Sequence, residues 1–306
     1  MRNIKASMLA CLLLLCGCSL AVARQAQHQL YCFSLNSKYG YLDEDGNIVI
    51  APRFEDCSNF SEGLAVVKTD DRWGFIDETG AIVIEPRFRD ALNFSEGLAP
   101  VELEEDQWGY IDRQEHVVIQ PKFKSAWMFH DGLAPVHVDN EDSDEWVFID
   151  KQGKQVLSGG FKDARGFMEG LAAVKVDGLW GFIDKTGKFV IKPVYKDAYL
   201  FFQGLAAVCV EEDWGFIDKT GKMVIEPQFK EALGFSAGLA AVQVRGEDEG
   251  EDKWGVINRQ GKMVIKPQFE YVINYPFASK TRLLVKLDGQ WGLIDESSKY
   301  LWQPSK

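Results

Sequence analysis

Residues 73–103 read WGFIDETGAIVIEPRFRDALNFSEGLAPVEL, and this stretch decides the fold. It divides into apolar runs separated by turn residues. Side chains alternate faces along a strand. Trp73, Phe75 and Asp77 therefore share one face, and Gly74 and Ile76 the other. Asp77 and Gly80 are the preferred first and last residues of a type I turn. Ile82-Val83-Ile84 follows and is apolar at successive positions, as is Leu171-Ala172-Ala173-Val174 further on. A sheet with one wet face would alternate apolar and polar residues, so both faces of each unit are expected to be covered. Pro86 ends the second run, where losing an N–H costs little. Phe88, Ala91 and Phe94 then space an aromatic connector, and Gly97-Leu98-Ala99 opens a third strand.

The stretch recurs along the chain. Trp-Gly returns at Trp108, Trp180, Trp214, Trp254 and Trp291, with Trp146-Val147 and Tyr39-Gly40 as degenerate copies. Units that cannot bury their faces alone must stack on one another. The distance from each Trp to the next Gly-Leu is nearly constant, so length varies mainly in the turn before Trp. Insertions collect at exposed loop tips, which places these turns along one rim. The longest are residues 139–145 and 246–252, both acidic. Counted from Leu30 to Trp302, the chain holds eight three-stranded units of about 35 residues, a repeat length typical of propellers and solenoids. The expected architecture is all-β, a propeller-like ring in preference to an open β-solenoid.

These tandem W-G-F-I-D…P-x-F…E-G-L-A units resemble the bacterial WG-repeat family over roughly residues 30–304. The resemblance implies a β-rich repeat and no particular activity. Departures are Val147 in place of glycine, Gly160 where the proline of P-x-F usually stands, and the absence of Gly-Leu-Ala before Leu283.

The N-terminus reads as an export signal. Arg2 and Lys5 precede the apolar run Ala6 to Leu15, too short for a membrane span of roughly 20 residues. Leu15-Cys16-Gly17-Cys18 resembles the lipobox of bacterial lipoproteins, with Cys18 as the lipidation candidate. Residues 1–18 are then the signal, 19–29 a short linker and 30–304 the repeat domain. Ala21-Val22-Ala23 offers an alternative cleavage after residue 23. The expected destination is the periplasm, or the outer membrane through lipid on Cys18. Simple secretion is the alternative.

The net charge of −12 disfavours nucleic acid and anionic membrane surfaces as partners. Cys32, Cys57 and Cys209 remain in the body; a Cys32–Cys57 bridge in an oxidising compartment competes with two buried thiols. His28, His116, His130 and His137 show no metal-ligand spacing, and residues 139–145 lack the spacing of a calcium loop. No catalytic or nucleotide-binding motif occurs, so no enzyme activity and no cofactor are expected. The reading is a non-enzymatic cell-envelope scaffold for protein–protein interaction, with a glycan or cell-wall binding module as alternative. The repeat tryptophans read as core. Trp127 lies off their register and reads as a surface anchor. With it, Asp139, Glu141, Asp142, Asp144, Glu247, Asp248 and Glu249 on the longest turns form the candidate interaction surface.

Overall fold

The computed structural model describes residues 29–140, 143–246, 251–274 and 282–303. The signal segment, Cys18 and linker residues 19–28 lie outside the described residues, as do Glu141, Asp142, Glu247, Asp248 and Glu249. Every described element is a β-strand, and no helix is long and apolar enough to cross a membrane. The strands form eight antiparallel sheets, the blades of an eight-bladed β-propeller.

Blade 2 shows the plan. Strand a is Asp56–Cys57, strand b Leu64–Thr69, strand c Arg72–Asp77 and strand d Ile82–Phe88, paired in that order. The same letters serve for every blade. Strands b, c and d are the three expected from the sequence. Strand a is an addition contributed by the aromatic connector, and in most blades it is only two residues long. Blade 1 pairs only b, c and d, from Tyr31 to Phe54, among the described residues.

Local chemistry sets the turns. Between connector and strand b, Ser61 and Leu64 exchange two backbone hydrogen bonds around Glu62 (φ 53°) and Gly63 (φ 79°). Two successive positive φ angles make a two-residue hairpin turn of the I′ kind, which favours glycine. After strand c, the Asp77 carbonyl accepts from the Gly80 N–H, and its carboxylate accepts from the N–H groups of Thr79 and Ala81.

Eight buried apolar clusters hold the molecule together, one between each pair of neighbouring blades. An open stack of eight blades would have only seven such interfaces. The closing cluster joins Tyr31, Phe33 and Leu42 of blade 1 to Leu284 and Leu293 of blade 8. The Phe33 and Trp302 rings meet at 4.8 Å, and Arg282 donates to the Glu44 carbonyl at 2.7 Å. In six interfaces the third residue of W-G-F packs on the connector phenylalanine of the next blade, from Tyr41–Phe60 to Phe216–Phe235, at 4.8–5.0 Å. Each such pair contributes about 0.5–1.5 kcal/mol beyond its buried area. Polar clamps reinforce the apolar contacts: Gly132 N donates to Glu96 Oε1 at 3.1 Å, and Lys151 Nζ donates to the Glu96 carbonyl at 3.0 Å. Asp131 and Glu169 repeat the arrangement with Gly170 and Lys185, and with Gly204 and Lys219.

Strand b is covered on both faces, as its pattern predicts: Leu171, Ala172, Ala173 and Val174 are all buried. Strand d is not. Ile84 is buried, but Ile82 and Val83 are 46% and 43% exposed. Strand d is the free edge of its sheet, so its apolar residues reflect strand propensity rather than burial.

The glycine of Trp-Gly answers to strand d. A bulge carries Ile-x-Pro directly over it. On six of these glycines a Cβ would lie 2.5–2.7 Å from the isoleucine carbonyl oxygen and 2.6–2.9 Å from the proline nitrogen. Blade 4 breaks both sides of this contact. Trp146 pairs with Phe161 as Trp214 pairs with Phe229. That register puts Gly159, not Gly160, at the proline position. Val147 takes the glycine position and is 2% exposed.

Candidate interaction surfaces

Blade 4, residues 125–161, departs from the repeat in both its hairpin and its Trp-Gly contact. Its b and c strands, Ala134–Asn140 and Ser143–Ile149, form a hairpin longer than that of blade 2. Trp127, which follows strand a, is 46% exposed. Its carbonyl accepts from the buried Tyr110 hydroxyl at 2.8 Å, which fixes the backbone and leaves the indole outward.

The acids predicted from sequence are not free charges where they are described. Lys124 Nζ reaches Asp139 Oδ2 at 2.6 Å, and His137 Nε2 lies 2.9 Å from Asp144 Oδ1. The Lys124 ammonium holds the Asp139 carboxyl below its ordinary range. His137 stacks on Trp146, the rings 5.3 Å apart and 14° from parallel. Glu145 accepts from the Gly160 N–H at 2.8 Å. On the second acidic turn, Asp252 is bonded to Lys230. Lys124 and Lys230 each follow the last residue of a strand d, so one device anchors both hairpins.

The repeat tryptophans are mostly core, as expected: Trp108, Trp180, Trp214 and Trp254 are buried. Arg165 lies over the Trp180 and Tyr199 rings, and Tyr199 stacks on Trp214. His130 is half-buried, and that burial pushes its pKa down. Among the described residues, no group of three or more His, Cys, Asp and Glu is set to hold a metal ion.

Sequence reasoning missed a cavity of about 300 Å³ at the seam of blades 8, 1 and 2. Phe33, Tyr39, Ile273 and Trp291 line it, none of its lining residues is charged, and the Cys32–Cys57 disulfide forms part of its wall. The bridge ties strand b of blade 1 to strand a of blade 2. Of the two readings for these cysteines, the bonded one is observed. The repeat register carried a signal for it: Val66 and Ala91, the corresponding residues one unit on, share one apolar cluster.

Solved structures of the same fold include dihydro-heme d1 dehydrogenase NirN in complex with DHE (TM-score 0.62, 13% identity, 90% of this chain and 72% of that chain). They also include a eukaryotic initiation factor (TM-score 0.57, 13% identity, 92% and 85%) and apo AztD from Citrobacter koseri (TM-score 0.53, 13% identity, 91% and 93%). At these identities the likeness is one of fold alone. No curated protein matches the chain in sequence. The model for the WG containing repeat matches seven times, at residues 39–73, 73–105, 108–141, 146–180, 180–212, 214–247 and 254–291. With nearly every unit from Tyr39 to Trp291 matched and the units closed into a ring, the chain belongs to the WG-repeat family.

Proposed function

We propose that this propeller is a non-enzymatic scaffold of the bacterial cell envelope that binds another protein. The observation that carries the reading is the concentration of irregularities in blade 4. Blades 1 and 8 vary where the ring closes and blade 7 carries the second acidic turn, while blades 2, 3, 5 and 6 keep the repeat, which is the economy of a frame. Blade 4 alone combines an exposed tryptophan, a long acidic hairpin and a lost Gly–Pro contact. Tryptophan anchors dominate binding hot spots, and a rigid repeat frame presents such a patch without an ordering cost.

Export is part of the same proposal. It rests on the signal reading of residues 1–18 and on the Cys32–Cys57 bridge, because disulfides persist in oxidising compartments. A lipid on Cys18 would tether the ring to a membrane.

The test is affinity capture from bacterial envelope extract with residues 19–306, alongside a Trp127→Ala chain and one with turns 139–145 and 246–252 shortened. Recovery of one protein by the parent, lost in these variants, is the expected result. If no protein is enriched while the chain sediments with purified cell wall, the scaffold reading fails and the glycan reading replaces it.

A further inference from the structure

The cavity at the seam of blades 8, 1 and 2 stands where the other blades place a strand. In blade 3, Val101 and Glu102 of strand b pair with Ala91 and Asp90 of strand a. Phe33 and Ser34 hold the same positions in blade 1, opposite Gly40 and Tyr39 as Val101 and Glu102 lie opposite Gly109 and Trp108. Both line the cavity, and among the described residues no strand pairs with their other side. The residues before strand b do not supply the missing piece in sequence. Six connectors follow the order Ala-x-x-Phe-x-x-Gly-Leu, with Cys57 for alanine in the first. Residues 23–30 read ARQAQHQL and carry neither the phenylalanine nor the glycine.

The lining departs from the repeat in ways that keep the space open and uncharged. Ser34 lies across from Tyr39, where other blades set Lys68, Glu102, His137, Lys175, Gln243 and Lys286 across from their tryptophan. All six are longer side chains. The wall is two-sided: blade 8 supplies Ile273, Leu284 and Trp291, while blades 1 and 2 supply Ser34, Ser58 and Asn59. Asn59 Oδ1 accepts from the Cys32 N–H at 3.4 Å, and the Cys32–Cys57 bridge fixes the two blades to each other at this wall. No described lining residue is charged, in a chain of which 26% of residues are. An ion placed there would lose hydration without gaining a counter-charge.

We propose that the seam cavity binds a small uncharged aromatic compound with one hydrogen-bonding group. Its ring lies against the blade 8 side at Trp291, and its polar group faces Ser34 and Asn59. The volume of about 300 Å³ is that of a small-molecule site. A wall already tied by a disulfide needs little ordering to receive a ligand. Blade 8 stands four blades from blade 4, so this site lies across the ring from the protein-binding surface and does not depend on it.

The test titrates residues 19–306 with N-phenyl-1-naphthylamine, a neutral dye that brightens in apolar sites, and with 8-anilinonaphthalene-1-sulfonate, the same skeleton bearing a negative charge. Saturable binding of the neutral dye at a single site is expected, with the sulfonate weaker by roughly tenfold or more. Ser34→Gln sets the blade 7 residue at the cavity and should weaken the neutral dye by a similar factor while melting stays near the parent value. Trp127→Ala, across the ring, should leave binding unchanged. No saturable binding overturns the proposal and leaves the cavity to the chain's own side chains. A sulfonate that binds as tightly as the neutral dye overturns it without recourse to a variant. Undiminished binding to a folded Ser34→Gln chain also overturns it, as does loss of binding in Trp127→Ala, which would put the dye on the exposed indole.

Discussion

Gly215→Val tests the contact that explains the Trp-Gly pair. A Cβ there would lie 2.6 Å from the Ile225 carbonyl oxygen, 2.8 Å from Pro227 N and 3.0 Å from the Glu226 carbonyl carbon. All three are backbone atoms of the same blade, so no side chain can rotate away. Overpacking of this kind costs about 1–3 kcal/mol, and a branched residue belongs at the upper end. Blade 4 shows the remedy, since Val147 is accommodated opposite Gly159-Gly160. Gly215→Val combined with Pro227→Gly and Gln228→Gly should therefore be less destabilised than the sum of its parts. The expected coupling is about 1–3 kcal/mol, as for residues in direct contact. Urea unfolding followed by tryptophan fluorescence reads this as a shift in midpoint at constant slope. A single variant within about 0.5 kcal/mol of the parent, or a triple variant equal to the sum, would refute the reasoning.

Three further outcomes are expected. Replacing both Cys32 and Cys57 by Ser should cost about 3.5 kcal/mol, the chain-entropy value for a bridge spanning 25 residues; unchanged melting on reduction would contradict that. The Thr186 hydroxyl and the N–H groups of Thr186 and Lys188 hold the Asp184 carboxyl below its ordinary value, and Thr220 does the same for Asp218. Groups lowered on folding contribute stability above their unfolded pKa of about 3.9 and lose it as pH falls through the folded value. Melting temperature should therefore drop below about pH 4, and less so when Asp184 and Asp218 are both Ala; a flat profile from pH 5 to pH 2.5 would count against the turn network. Glu96→Ala removes the acceptor for Gly132 N and the ion pair with Lys151 at 3.0 Å. A loss of about 1 kcal/mol in chemical denaturation is expected, since the pair is partly exposed.

The repeat, its register and its turns were legible because each unit states them again. Asp77-x-x-Gly80 is local chemistry, readable without the fold, whereas the Glu62-Gly63 turn becomes visible only once the connector is seen to pair with strand b. The ring was legible in the strands apolar on both faces and the whole number of units, but the contacts that close it were not, because Phe33 and Trp302 are distant in sequence and belong to no shared motif. The two-residue strand a was hidden by its shortness. The exposure of Ile82 and Val83 was misjudged because apolar runs do not distinguish a central strand from an edge. Of the candidate surface, Trp127 was legible from its register. The coupled change of Val147 and Gly159 was not, because the contact runs through a bulge between strands. The acids Asp139 and Asp144 were visible, but their partners Lys124 and His137 come from pairing across the sheet.

Hydrogen exchange on residues 19–306, alone and bound to the captured envelope protein, bears most directly on the central claim. The account predicts new protection confined to blade 4, at Trp127, Ser143–Ile149 and Gln155–Phe161, with the other blades unchanged. Protection spread evenly around the ring, or centred on another blade, would contradict it.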